Sequence, residues 1–441
     1  MFKTFKEAWK VAELRKKILF TLLILVLFRI GCVVPMPFFD ASQVEQMAKF
    51  QELMGGAKSA FGYLSMISGG ALAQGTLFAL SISPYITSQI IIQLLTIAIP
   101  ALERLSKEGE EGRKKIQALT RYGTVILAVI TSIGYYALLN SYGVLNFGSV
   151  PKSFGAIVMV ATYTAGASLV MWLAEKINEH GIGNGISLML FAGIVNGIPF
   201  MLDNMSRAGA YDLWLKIVIW VATIAVLILA IAFIVFVTES ERRIPVQYAK
   251  KVVGRKMYGG QNSTLPIKLN MSGVMPFIFA QSIVSIPSTI KMVLQTKIDN
   301  SKFWTGFFKC FEPGSAAYLV TIVLLFVLII AFAYFYLAIS FNPDEVANNL
   351  KKNGGTVFGI RPGKPTADYI RRVVNRITLI GALFLSIIAI GPMLLTFIPV
   401  APLAYVSLGG TSLLIAVGVA LETEKELEAQ MAMRNFKGFL E

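Results

Sequence analysis

Apolar residues run along the chain in ten long stretches, near 18–34, 75–99, 122–140, 154–173, 184–201, 213–237, 272–294, 316–340, 377–398 and 403–421. A helix that crosses a bilayer needs roughly 20 predominantly apolar residues, and each stretch is close to that length. Strict alternation of apolar and polar positions is absent, which argues against a membrane β-barrel. Backbone inside lipid must satisfy its own hydrogen bonds, so the stretches are predicted as helices. The pattern therefore predicts an all-α integral membrane protein of ten transmembrane helices. Three polar connections stand out: ERLSKEGEEGRKKIQALTRYG (103–123), 239–270 and 342–372. The last two are long, basic and punctuated by Gly and Pro, so protruding structures are expected rather than tight turns. The connection at about 396–403 is short and uncharged.

The second stretch is irregular. It is approached through FGYLSMISGGALAQGTLFALSISPYITSQIIIQLL (61–95), where Gly69, Gly70 and Gly75 interrupt the apolar run and Pro84 follows. Such density of Gly and Pro predicts a short helix, a break and then the true span, with an ordinary kinked helix as the alternative. The connection at 239–270 splits the chain into two groups of five helices. An odd number per group inverts one half relative to the other, a common plan of membrane transport folds. The expected halves are 1–210 and 211–421, followed by a cytoplasmic tail at 422–441.

Composition agrees with a membrane setting. The 441 residues are 55% hydrophobic and 15% charged, with a mean hydropathy of +0.67. The net charge of +15 invites a nucleic-acid reading, but its distribution points elsewhere. With the N-terminus in the cytoplasm, the cytoplasmic segments hold 30 Lys and Arg and the outer segments 9. That is the positive-inside bias of a multi-pass protein, with both termini cytoplasmic. The basic N-terminus and first apolar run resemble a signal peptide, but the run ends in Val34-Pro35-Met36-Pro37 without a small-residue cleavage site. It is read as a retained first helix.

Catalytic constellations find little support. His180 is the single histidine, and two cysteines, Cys32 and Cys310, build no metal cluster with it. One disulfide or two idle thiols are both open. GIRPGKP (359–365) is one residue too short for a phosphate loop, and Pro365 replaces the required Ser or Thr. GIGNG (181–185) opens a membrane helix rather than following a strand. Arg29 stands out as an ionisable residue within a span, where it is expected to snorkel or to pair with a carbonyl. No enzyme chemistry, cofactor or metal is predicted. A passive conduit driven by something docked outside, a small-solute secondary transporter with inverted repeats, and a membrane scaffold remain open on residues alone.

Specific motifs narrow this. SGGALAQGTLFALSISPYITSQIIIQLL (68–95), EGEEGRKKIQALTRYGT (108–124), EHGIGNGISLMLFAGIV (179–195), LPIKLNMSGVMPFIFA (265–280), FNPDEVANNLKKNGG (341–355), GIRPGKPTADYI (359–370) and GGTSLLIAVGV (409–419) resemble the bacterial SecY family in the expected order. Members of that family are the central subunit of the protein-translocation channel. The tail beyond Glu422 resembles it weakly.

The resemblance implies two inverted halves that close like a clamshell around an hourglass pore and open sideways between helices 2 and 7. The family seals the waist with aliphatic side chains, which fall here on Ile82, Ile86, Ile186, Leu190, Ile278 and Ile415; Leu190 replaces the usual isoleucine. A narrow apolar constriction dewets and blocks ions. The family's plug, a short helix outside the ring, falls on about 61–73, with Phe61, Ser68, Gly69, Gly70 and Ala73 in it and a hinge at Gly69, Gly70 and Gly75. Gln74 stands where many relatives carry a basic residue. The basic loops resemble the family's docking surface for the ribosome and the SecA motor ATPase, with Arg255, Lys256 and Arg361 as the contact residues. The resemblance also implies SecE-like and SecG-like small membrane subunits, an unfolded signal-bearing polypeptide as substrate, and a place in the bacterial plasma membrane.

Overall fold

The computed structural model describes residues 2–39, 49–51, 61–207, 213–248, 251–253, 256–258, 262–271, 273–298, 302–397 and 401–437. Each of the ten apolar stretches falls on one helix. A short amphipathic helix, α1 (Phe2–Lys10), precedes α2 (Ala12–Gly31), and a single turn-and-a-half, α3 (Gly62–Ile67), precedes α4 (Ser83–Ala98). Then come α5 (Pro100–Lys107), α6 (Glu110–Ser141), α7 (Lys152–His180), α8 (Gly185–Arg207) and α9 (Leu213–Glu239). The second half holds α10 (Met275–Ile298), α11 (Lys302–Lys309), α12 (Tyr318–Ser340), α13 (Pro343–Lys352), α14 (Lys364–Leu394) and α15 (Ala401–Lys437).

Among the described residues, five helices are long and apolar enough alone to cross a membrane: α6, α7, α9, α12 and α14. A sixth appears if α4 and α5 count as one span, although the chain bends by 101° between them. Pro100 starts the new helix there, and Pro84 likewise sits in the first turn of α4, where its missing N–H costs nothing. Pro84 thus starts the span instead of kinking it. Four of the other helices, α4, α8, α10 and α15, bury polar side chains such as Ser88, Ser187, Gln281 and Ser412.

The two halves repeat one packing plan. In the first half α4 packs on α6, α6 on α7, α7 on α8, and α2 on both α7 and α8. In the second half α10 packs on α12, α12 on α14, α14 on α15, and α9 on both α14 and α15. The halves meet along two seams: α8 against α15 on one side, and α10 against α6 and α4 on the other. This is the ten-helix clamshell in two halves of five. The expected boundary at 210/211 lies outside the described residues.

The reading of the loops missed a small sheet. Strands β1 (Glu241–Tyr248) and β4 (Asn262–Lys268) pair antiparallel, with β2 (Lys251–Val253) and β3 (Lys256–Tyr258) as a hairpin between them. A fifth strand, β5 (Gly355–Val357), joins the other edge of β1. The two basic loops are therefore one body. Ile244, Val246, Ile267 and Val357 point to a core shared with Ile370 and Val374 of α14. The alternation Ile244, Val246, Tyr248 was a readable strand signal. Val246→Asp would place an unpaired charge in that core. Limited proteolysis should then cut 241–268 about tenfold faster or more, while the spans stay protected.

The tail is not separate in structure. α15 runs on from the last span to Lys437, and Ala8 of α1 packs beside Leu427 on it.

Candidate functional site

All six predicted ring residues are at most 5% exposed and belong to one buried cluster. They come from four helices and from both halves: Ile82 and Ile86 at the start of α4, Ile186 and Leu190 on α8, Ile278 on α10 and Ile415 on α15. Two pairs are four residues apart, so each stacks two side chains along one helix face. The chain reaches Ile82 through Ser81, which holds φ at +49°, an uncommon conformation for a residue with a side chain. The Ile82 carbonyl then accepts the first bonds of α4, from the N–H groups of Tyr85 and Ile86, both at 3.1 Å.

The Gly-rich segment before α4 lies across this cluster. After α3 the chain makes turns from Ser68 to Ile82 before the span begins, which is the broken helix expected. Gly69, Gly70 and Gly75 all have positive φ, 65°, 83° and 59°, and so supply the turns that a residue with Cβ resists. Ser68 stabilises the first turn: its hydroxyl donates to the Ser65 carbonyl at 2.8 Å and accepts from the Leu72 N–H at 3.1 Å. Ile67 and Ala71 join the ring cluster, whereas Phe61, Leu72 and Ala73 join a second core built on α6 and α7.

Three contacts hold the segment. A Cβ on Gly193 of α8 would stand 2.0 Å from the Ile67 carbonyl oxygen, so the two backbones touch. Asn196, one turn further along α8, donates its Nδ2 to the Gly69 carbonyl at 2.8 Å. The buried Tyr135 hydroxyl of α6 donates to the Leu72 carbonyl at 2.6 Å. Arg29 also reaches this point. Its Nη1 is buried and approaches Gly69 from α2, so the side chain faces the segment and does not snorkel.

On the side of the sheet, a polar cavity of about 600 Å³ adjoins the start of α8. Lys17, Lys268 and Lys425 line it together with Glu179, Glu422 and Glu426, a mixed-charge wall. Burial, reinforced by the Lys268 charge, pulls the Lys425 ammonium below its usual range. Asn184 caps α8 here, accepting from the Ile186 N–H at 3.0 Å, which explains the polar residue in GIGNG.

The predicted docking residues are placed unevenly. Arg361 is exposed on a tip whose flanking Gly359 and Gly363 have φ of 76° and 100°. Lys256 begins β3, and Arg255 lies outside the described residues. Both cysteines are free thiols.

Sequence reading missed one buried ion pair. Glu175 of α7 receives two bonds from Arg121 of α6, at 2.9 and 2.8 Å, and a third from Gln117 at 3.1 Å. Nearby, Ser88 of α4 donates to the Thr120 carbonyl at 2.8 Å. These bonds tie α4, α6 and α7 together at one end of a seam. A carboxylate near the end of a long apolar helix was the available signal.

The chain is similar to known proteins along its whole length. The SecY family profile matches residues 76–424. The protein translocase subunit SecY of Streptomyces scabiei is 44% identical over the whole length of both chains. A solved SecY, described by its plug domain that stabilises the closed state of the translocation channel and maintains a membrane seal, superposes with a TM-score of 0.64 at 18% identity, covering 95% of this chain and 92% of that one. Sec61 in the canine ribosome-channel complex gives 0.62, again at 18% identity and covering 95% and 92%. With a family profile that covers most of its length and a full-length relative at this identity, the chain belongs to the SecY family.

Proposed function

We propose that this chain is the pore-forming subunit of a protein-conducting channel, which exports unfolded secretory proteins across the bacterial plasma membrane and inserts membrane proteins into it. The observation that carries the reading is the single buried cluster to which both halves contribute Ile82, Ile86, Ile186, Leu190, Ile278 and Ile415. A constriction walled only by aliphatic carbons dewets and stops ions. It offers no hydrogen bond to a passing backbone, so unlike sequences slide through it.

The segment 61–73 acts as the plug on the far side of this ring, with Gly69, Gly70 and Gly75 as its hinge. Its polar attachments favour that role: only two side-chain-to-backbone hydrogen bonds hold it, and its apolar side chains pack on the ring and on the α6–α7 core, a contact that slides more readily than a polar one. Widening the waist separates the halves along the seam of α10 against α4 and α6, and a hydrophobic signal segment leaves through it into lipid. The mixed-charge cavity forms part of the cytoplasmic mouth, where a polypeptide of either charge is tolerated.

The chain carries no bond-making chemistry in this reading. Work comes from a ribosome or a SecA motor ATPase docked on the sheet and the Arg361 tip, or from the proton-motive force. Arginine suits both partners, because its planar fork grips phosphate and carboxylate alike. Lys256 and Arg255 are assigned the same docking role. SecE-like and SecG-like subunits complete the channel, and both termini face the cytoplasm. A coupled transporter would need an ionisable group free to exchange its ion, whereas the Glu175 carboxylate is engaged by Arg121 and Gln117.

The test is a crosslink between Ile278→Cys and a secretory precursor stalled midway in vesicles with the motor, after substitution of Cys32 and Cys310. A crosslink that requires ATP and the precursor's signal sequence is expected. If precursor is stalled in the vesicles and Cys at 278 never reacts, the ring assignment falls.

A further inference from the structure

The connection between α10 and α12 contains a helix whose surface suits neither water nor the protein interior. α11 is eight residues long, KFWTGFFK. Phe303 is 74% exposed, and Trp304 and Phe307 are each 43% exposed. Phe303 and Phe307 are four apart and so share a face. Trp304 bridges them, with ring centroids 5.8 Å from Phe303 and 6.2 Å from Phe307. Phe308 turns inward and is buried. Three large aromatics in contact form an apolar patch that water alone does not favour.

The helix is rigidly mounted. Lys291 of α10 pairs with Glu312, just beyond α11. The Thr321 hydroxyl of α12 donates to the Cys310 carbonyl at 2.6 Å. The Ser315 hydroxyl donates to the Lys309 carbonyl, also at 2.6 Å. The patch is therefore held at a fixed height against the ends of two spanning helices.

Its height identifies what covers it. The segment joins the end of α10 to the start of α12, on the side away from the sheet. Leu319, Val320 and Val323 of α12 and Ile290 of α10 are exposed, as lipid-facing residues of spans must be. The aromatic patch begins where that belt ends. Tryptophan and its aromatic neighbours favour the boundary between headgroups and acyl chains, and the exposed Lys309 places an ammonium within reach of lipid phosphate.

We infer that α11 is an interfacial anchor, seated by Phe303, Trp304 and Phe307 in the headgroup–acyl boundary of the leaflet opposite the basic loops. Through the Lys291–Glu312 pair it fixes the depth of the α10 end. The inference rests on the spanning fold alone and not on the channel reading. For a channel its consequence is that one wall of the seam has its outer end tied to the bilayer.

The chain has five tryptophans, so Trp9, Trp172, Trp214 and Trp220 are replaced by Phe to leave Trp304 as the single reporter. The protein, assembled with its small membrane subunits, is placed in vesicles whose lipids carry bromine either near the carbonyl or near the methyl end. Shallow bromine should quench Trp304 roughly twofold more than deep bromine, as an interfacial ring requires, and aqueous iodide should quench it weakly. Iodide quenching as strong as for free tryptophan would put the helix in water and overturn the anchor. Protection from iodide and from both bromines would mean that a protein surface covers it, which also overturns the anchor. Dominance of deep bromine would do the same. If the four-fold variant fails to assemble, a spin label on Phe303→Cys, in a chain lacking Cys32 and Cys310, reports depth through its accessibility to oxygen and to a water-soluble relaxant. Equal depth with the lipid carbonyls supports the anchor, and a fully aqueous signal rejects it.

Discussion

Vesicles that carry Gly193→Val should leak ions at rest, where the unaltered protein keeps them sealed. The added Cβ would sit 2.0 Å from the Ile67 carbonyl oxygen, and that atom is backbone, so no side-chain rotation relieves the contact. Either α8 or the segment around Ile67 must move. α8 is packed on α15, α7 and α2. The segment is held beyond that contact by the Asn196 and Tyr135 bonds and by the burial of Ile67, Leu72 and Ala73, less than the three whole helices that clamp α8, so the segment moves. Overpacking costs typically about 1–3 kcal/mol, which would raise the population of the displaced segment roughly 5- to 150-fold. Ion flux from vesicles measures it directly. Asn196→Ala should act in the same direction with a smaller effect. Gly391→Val is the control, because nothing lies within 4 Å of a Cβ there. A Gly193→Val protein that melts normally and stays as tight as the control would remove 61–73 from the plug role.

Arg121→Ala should be the most destabilising change at the ion pair, ahead of Glu175→Gln. Removing the arginine leaves a carboxylate that is almost fully buried with only Gln117 as donor. Losing one partner of a buried pair costs about 3–5 kcal/mol. Arg121 is itself 46% exposed, and solvent screening moves the expectation to the lower end of that range. Glu175→Gln removes the buried charge together with its partner's need for it, and the amide oxygen still accepts from Arg121. Thermal midpoints in lipid nanodiscs should fall in that order. If Glu175→Gln costs as much as Arg121→Ala, the bonds matter as geometry and not as charge compensation.

The elements of the membrane domain were legible because lipid imposes a simple rule. A run of apolar residues such as 316–340 has to be a helix, and its length sets its ends. The ring residues were not legible by that rule. Ile82 and Ile278 look like any isoleucine in a span, and only the motifs around them mark them as candidates for a pore ring. The turn at Gly69 and Gly70 was announced by composition, since few residues other than glycine take those dihedral angles. Asn196 and Tyr135 went unremarked because a polar group on a span has no readable partner until the fold brings one to it. Arg29 was noticed, but which of its two expected roles applied was not readable, because the Gly69 backbone that it approaches is 40 residues away in sequence. The sheet was hidden differently. β5 is three residues long and pairs with β1 more than 100 residues earlier, so no local pattern could join them.

That join has a mechanical consequence. β1 and β4 continue into α9 and α10, while β5 lies between α13 and α14. A load applied to the sheet therefore enters helices of the second half at three roots simultaneously. Among the described residues, the first half contributes no strand to the sheet, so it receives the load across the two seams and the α1–α15 contact. Any body that grips these loops holds one half by a stiff handle and leaves the other half to the resistance of the bilayer. A pull or twist there becomes shear between the halves, not a rotation of the whole molecule.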